Sequence, residues 1–65
     1  MEPDNHQRLA EWIMRTGRKR SWVSQQLGVT PGSVTLWCKG ATKPSLTLAF
    51  RLQNLTDGEV KAEDW

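Results

Sequence analysis

Glycines cut this chain into short pieces whose apolar residues fall three and four apart. Gly17, Gly28 and Gly40 each close a segment, and an Asp57-Gly58 turn closes a fourth. That spacing is the signature of amphipathic helices. No stretch alternates with period two and no unit repeats, so strands are not expected. At 65 residues the chain is one small domain. A domain of this size buries only about 60% of its extendable surface, so its stability is modest.

The first segment runs from about Asn5 to Thr16, with Leu9, Ile13 and Thr16 on one face and Ala10 and Trp12 beside them. Asp4 or Asn5 can cap its start, and Gly17 fits the left-handed position that ends it. A second segment spans Arg20 to Leu27, with Val23 and Leu27 four apart. Thr30 is a good N-cap and Pro31 fits the first turn of a third helix, where its missing N–H costs nothing. That helix ends at about Lys39, before Gly40. Ser45 caps a fourth, Leu46 to Leu55, whose stripe is Leu48, Ala49, Leu52 and Leu55. The tail from Glu59 to Trp65 is too short to assign, though Val60 and Trp65 can dock on the core. The reading is all-α, four short helices and an unassigned tail forming a single domain over residues 1–65.

Composition removes several function classes. One cysteine forms no internal disulfide and leaves no ligand set for a zinc finger. The lone histidine, His6, leaves neither a Ser-His-Asp site nor a multi-histidine metal centre, so no enzyme and no cofactor are expected. No apolar run approaches the roughly 20 residues of a membrane span, and the opening Met1-Glu2-Pro3-Asp4 is acidic and polar, unlike a signal peptide. A cytoplasmic binding domain is the expected class.

The distribution of charge says more than its total of +2. The acids are Glu2, Asp4, Glu11, Asp57, Glu59, Glu63 and Asp64, all near the two ends. Between Trp12 and Thr56 there is no acid, while Arg15, Arg18, Lys19, Arg20, Lys39, Lys43 and Arg51 supply seven positive charges. A basic middle is the electrostatic footprint of a polyanion, most often nucleic acid.

The centre of the chain reads as a helix-turn-helix. Ser24 is small and lets two helix axes approach. Gly28, four residues later, takes a turn conformation that few other residues tolerate, and Val29 plugs the corner. Val34 and Trp37 are expected to pack back on Val23 and Leu27, with Cys38 beside Val34 as a small buried residue. The opposite face of the third helix carries Gly32, Thr35, Leu36 and Lys39, a stripe able to lie in a DNA major groove about 12 Å wide.

The run Arg20-Ser-Trp-Val-Ser-Gln-Gln-Leu-Gly-Val-Thr-Pro-Gly-Ser-Val-Thr-Leu-Trp-Cys-Lys-Gly40 resembles the helix-turn-helix core of the lambda-repressor-like (Cro/XRE-type) transcriptional regulators. Lys43-Pro44-Ser45, the helix after it and the ending Leu55 to Trp65 are similar to the family pattern too. The resemblance covers about residues 8–65 and implies an all-α, compact four- to five-helix bundle. It implies a sequence-specific regulator of double-stranded operator DNA, read as a repressor, commonly a homodimer on an inverted repeat, and without a small-molecule ligand. Chains this short in the family are often phage or prophage Cro-like proteins, acting in the cytoplasm of a bacterium or infected host. By position, Arg20 and Lys43 correspond to phosphate contacts, with Arg18, Lys19 and Ser21 beside the start of the second helix. Thr30, Pro31 and Gly32 lead the recognition helix, and Ser33, Thr35, Leu36 and Lys39 follow.

Two departures stand out. Positions 31 and 32 often carry polar base-reading side chains in the family, whereas Pro31 and Gly32 have none. Readout then falls to Thr30, Ser33, Thr35, Leu36 and Lys39, with Leu36 limited to a thymine methyl or another apolar edge. Lys19 stands where many relatives have a capping Ser or Thr, so Ser21 is expected to cap instead and shorten the second helix. Those bare positions, together with four tryptophans, favour the alternative: a protein-interaction or architectural accessory module, adaptor- or excisionase-like, on the same fold. Trp37 reads as core. Trp22 either covers the first helix or serves a partner, and Trp12 and Trp65 pack on each other or form a dimer patch.

Overall fold

The computed structural model describes residues 4–65; the acidic opening read at residues 1–3 lies outside the described residues. Four α-helices follow one another: α1 (Asn5–Thr16), α2 (Arg20–Leu27), α3 (Pro31–Lys39) and α4 (Leu46–Leu55). A single 3₁₀ turn, Ala62–Asp64, closes the chain, and no strand occurs among the described residues. The Cα radius of gyration is 10.3 Å, close to the value of about 11 Å for a compact chain of this length.

Local chemistry explains where each helix starts. At α1 the cap is Asp4, whose N–H donates to the Gln7 side chain at 3.2 Å. Asn5 is not the cap; it is buried, and its Nδ2 donates to the Lys61 carbonyl of the tail. Thr30 caps α3 and Ser45 caps α4, each accepting an N–H three residues on at 3.4 Å. α2 differs from expectation. It begins at Arg20, with Lys19 as N-cap and no side-chain cap bond. The Lys19 carbonyl accepts from both Trp22 and Val23 N–H. That starts the helix before Ser21, so Ser21 neither caps nor shortens it.

Glycine is required where α2 ends. Gly28 has φ 71°, and Val29 N–H reaches back to the Ser24 carbonyl at 2.9 Å. This six-residue closure needs a left-handed residue, which glycine adopts without steric cost. Asp57 does the same work after α4 at φ 55°, with Gly58 N–H donating to the Gln53 carbonyl at 2.8 Å.

Leu9, Trp12 and Ile13 of α1, Val23 and Leu27 of α2, Val34, Trp37 and Cys38 of α3, and Leu52 of α4 share one core with Val60 of the tail. Ser24 is buried among them and donates to the Ser21 carbonyl at 2.7 Å. Thr16 does not join the α1 stripe. It is exposed, and its hydroxyl turns back to the Trp12 carbonyl at 2.8 Å. Trp12 pairs with Trp22, not Trp65, at 6.4 Å between ring centroids and 32° between planes, so Trp22 covers α1. Trp65 is half-buried at the core edge.

Polar pins hold the tail. Thr56 is buried; its hydroxyl donates to the Leu52 carbonyl and accepts from Val60 N–H at 3.1 Å. Gln53 Oε1 accepts from Ala62 N–H at 2.9 Å. Arg8 pairs with Asp64 at 2.9 Å, and Arg15 pairs with Glu59. No described helix is long and apolar enough to cross a membrane.

Candidate nucleic-acid interface

The fold decides which basic residues remain available. Arg15 is taken by Glu59. Arg18, Lys19, Arg20, Lys39, Lys43 and Arg51 form no ion pair with any described acid. Arg18, Lys19, Arg20 and Ser21 cluster at the entry to α2 and are exposed. The Arg18 guanidinium lies 4.0 Å from the centre of the Trp22 ring, a cation–π contact that orients it without neutralising it. Because Lys19 provides no side-chain cap, the first N–H groups of α2 open onto this cationic cluster. A helix start of that kind favours anions.

α3 packs against α2 on one side and exposes the other. Pro31, Gly32, Leu36 and Lys39 are exposed, and Ser33 and Thr35 are half-buried. Leu36 keeps 43% of its surface in solvent and is not part of the core. The hydroxyls are less free than the sequence suggests. Thr30 Oγ accepts the Ser33 N–H and lies 3.2 Å from Ser33 Oγ, so one of the two hydroxyl protons is shared between them and the other is left over. Thr35 donates its hydroxyl proton to the Pro31 carbonyl at 3.1 Å, which leaves its lone pairs and methyl facing outward. Beyond the cap, the outward side chains of this helix are Leu36 and Lys39, both exposed, with Thr35 half-buried beside them. Gly32 has open space where a side chain would stand; the nearest atom, Thr30 Oγ, is 3.9 Å from the position of a Cβ.

The two ends of the α2–α3 pair are tied together. Arg20, at the start of α2, lies close enough to the Cys38 thiol of α3 to act on it electrostatically. Burial pushes that thiol above its usual range, and the Arg20 charge offsets part of the rise. Arg20 thus combines an exposed cation with an electrostatic influence on a buried thiol, a link between residues eighteen apart in sequence that no local pattern reveals.

Lys43 stands in different surroundings. It lines a cleft with Asp4, His6, Gly40 and Asp64. The His6 ring lies against Gly40, 3.2 Å from where a Cβ would be, at φ 76°. The close approach and the positive φ together require glycine at the end of α3. His6 therefore has a packing role, carried by its ring.

The site residues read from sequence thus fall into two groups and one outlier: the cluster at the start of α2, the outer face of α3, and Lys43 in the loop before α4. Comparison with known proteins returns no match: no family model fits the chain, and no curated protein or solved structure is significantly similar to it.

Proposed function

We propose that this chain is a sequence-specific double-stranded DNA-binding transcriptional regulator, a repressor acting in the cytoplasm of a bacterium or phage-infected host. In this reading α2 and α3 form a helix-turn-helix, and α3 enters the major groove. The observation that carries it is the outer face of α3 beside the start of α2: exposed, free of acids, and bearing cations that no carboxylate of the fold neutralises. The resemblance of residues 20–40 to the lambda-repressor-like regulators supports the same reading.

The chemistry divides into positioning and reading. Lys19, Arg20 and the open N–H groups of α2 suit phosphate on one side of the groove, and Lys39 and Lys43 suit it on the other. Thr35, with its proton committed to Pro31, accepts from the amino group of adenine or cytosine. Leu36 contacts a thymine methyl. With so few reading groups, phosphate contacts dominate affinity, and two copies on an inverted repeat supply the selectivity that one lacks.

The accessory-module alternative has one observation in its favour: the leading turn of α3 offers few free hydrogen-bonding groups, since Pro31 and Gly32 have none and Thr30 and Ser33 share one of their two hydroxyl protons. Selection from random duplexes separates the two. The regulator yields an enriched inverted repeat with half-sites about 10 base pairs apart. On that site Lys39→Ala weakens binding to every sequence, whereas Thr35→Ala changes the preference among sequences. No enrichment, or normal affinity and selectivity in both variants, refutes the assignment of α3 as a reading helix.

A further inference from the structure

The cationic cluster at the start of α2 has a second flank, away from α3. A cleft of about 440 Å³ opens there, lined by Ala10, Ile13 and Met14 of α1 and by Arg18, Lys19 and Arg20. Ile13 belongs to the core and Ala10 is half-buried against it, whereas Met14 keeps 81% of its surface in solvent. No acid lines the cleft, and none of its three cations is in an ion pair with a described residue. Apolar surface thus adjoins unneutralised charge of one sign.

We propose that this cleft receives an acidic segment of another protein, one that carries a large apolar side chain among its carboxylates. The two halves of the cleft select that occupant. Arg18, Lys19 and Arg20 suit carboxylates, and Met14, flexible and polarisable, suits an apolar group of no fixed shape. Methionine and arginine are also residue types enriched where proteins meet. A DNA backbone supplies negative charge but has nothing to bury against Met14, since its thymine methyls stand in the major groove and not among the phosphates. A lipid surface is met by a row of protruding apolar side chains. Here the surface is concave, and Met14 alone of its apolar residues is exposed.

Size sets the strength of the complex. Clefts that hold a ligand measure about 300–1,000 Å³, so this one seats one or two anchoring side chains and not a broad protein face. Binding is therefore weak, with Kd of about 0.1 mM. It also bears on DNA. Lys19 and Arg20 are the residues proposed above to meet phosphate at the start of α2, so the acidic segment and the duplex exclude one another. That competition rests on the DNA-binding reading; the match between cleft and segment does not.

Fluorescence anisotropy with two labelled synthetic peptides tests it on the free protein. One peptide sets a leucine and a phenylalanine among glutamates. The other has the same charge, with glutamine in place of both apolar residues. Wild type binds the first with Kd of about 0.1 mM and the second about tenfold more weakly. Met14→Gln alters an exposed position without changing charge, so it keeps the circular dichroism spectrum and binds both peptides equally weakly. Three results overturn the proposal: no binding of the first peptide up to about 1 mM protein; equal binding of the two peptides by wild type, which means a charged surface and nothing more; or an undiminished preference in Met14→Gln. Flotation with vesicles of phosphatidylglycerol and phosphatidylcholine supplies a fourth, because vesicles that carry wild type but not Met14→Gln make the cleft a lipid contact. Binding to a single half-site duplex keeps the two proposals apart. Retained by Met14→Gln, it upholds the DNA reading whatever the peptides do. Absent from a wild type that prefers the first peptide, it refutes the DNA reading and leaves the docking cleft standing.

Discussion

Replacing Lys39 by alanine tests whether the outer face of α3 meets phosphate. Lys39 is exposed in the last turn of α3, without an ion pair. Removing it costs the fold only the favourable interaction of a cation with the helix C-terminus, about 0.3–1 kcal/mol. Its effect on DNA is larger and can be worked out. Setting aside Arg18, which lies on Trp22, the chain has Lys19, Arg20, Lys39 and Lys43 outside any ion pair with a described acid. Four phosphate partners give a slope of log K against log salt of about −3.6, or a loss of about 150-fold in affinity between roughly 50 and 200 mM. Three partners give a slope of about −2.7 and a loss of about 40-fold over the same range. The assay is fluorescence anisotropy on one half-site duplex, so that dimerisation does not enter. Arg15→Ala is the control. Its guanidinium is held by Glu59, so its removal leaves the slope at the wild-type value. The reasoning fails if Lys39→Ala keeps the wild-type slope. It fails equally if Arg15→Ala shifts the slope as much, because binding would then follow total charge and not one face.

Three further substitutions probe the frame that presents this face. Thr56→Val keeps the shape of a buried side chain but leaves the Val60 N–H without its acceptor; urea unfolding should show a loss of about 1–3 kcal/mol. Gly40→Ala forces a side chain into a left-handed position against the His6 ring, at a cost of about 1–2 kcal/mol from the backbone alone. In the His6→Ala background the backbone cost remains and the ring contact is gone, so the same substitution should cost less there. Gly32→Ala meets open space and should stabilise the helix by about 0.5–1 kcal/mol, while weakening DNA binding if the backbone at the start of α3 lies close to the duplex. Greater stability with undiminished affinity would place Gly32 away from the groove.

The helices were legible because each is bounded by local chemistry. Thr30-Pro31 and Ser45 start helices through their own side chains and ring geometry. Gly17, Gly28 and Gly40 stop them through positive φ angles. The stripes Val23/Leu27 and Val34/Trp37 meet because α2 and α3 are joined by a turn too short for any other packing. Where the expectations failed, the deciding partner was elsewhere. Ser21 lost its capping role because the Lys19 carbonyl already organises the first turn. Thr16 has the right period to join the α1 stripe, yet a hydroxyl in the last turn is better satisfied by the Trp12 carbonyl than by the core. The tail could not be placed from periodicity at all. It is held by Asn5, Arg8 and Arg15, whose partners lie 44 to 56 residues away.

What a helical stripe leaves unexplained is itself information. The α4 stripe accounts for Leu48, Ala49, Leu52 and Leu55 and says nothing of Leu46 and Phe50, which the sequence already shows four apart. Two large apolar side chains exposed side by side add nothing to the core, so the fold itself does not require them there. The same logic applies to the cations at the start of α2 and on α3. The fold places carboxylates beside Arg8 and Arg15 and beside none of Arg18, Lys19, Arg20 or Lys39. Once the core, caps and tail pins have taken the residues they need, a cationic face and the apolar pair on α4 are left over, and no residue belongs to both. Substitutions in one should therefore leave the other intact: charge removal on α3 should change affinity for a half-site duplex, and Phe50→Glu should leave that affinity at the wild-type value.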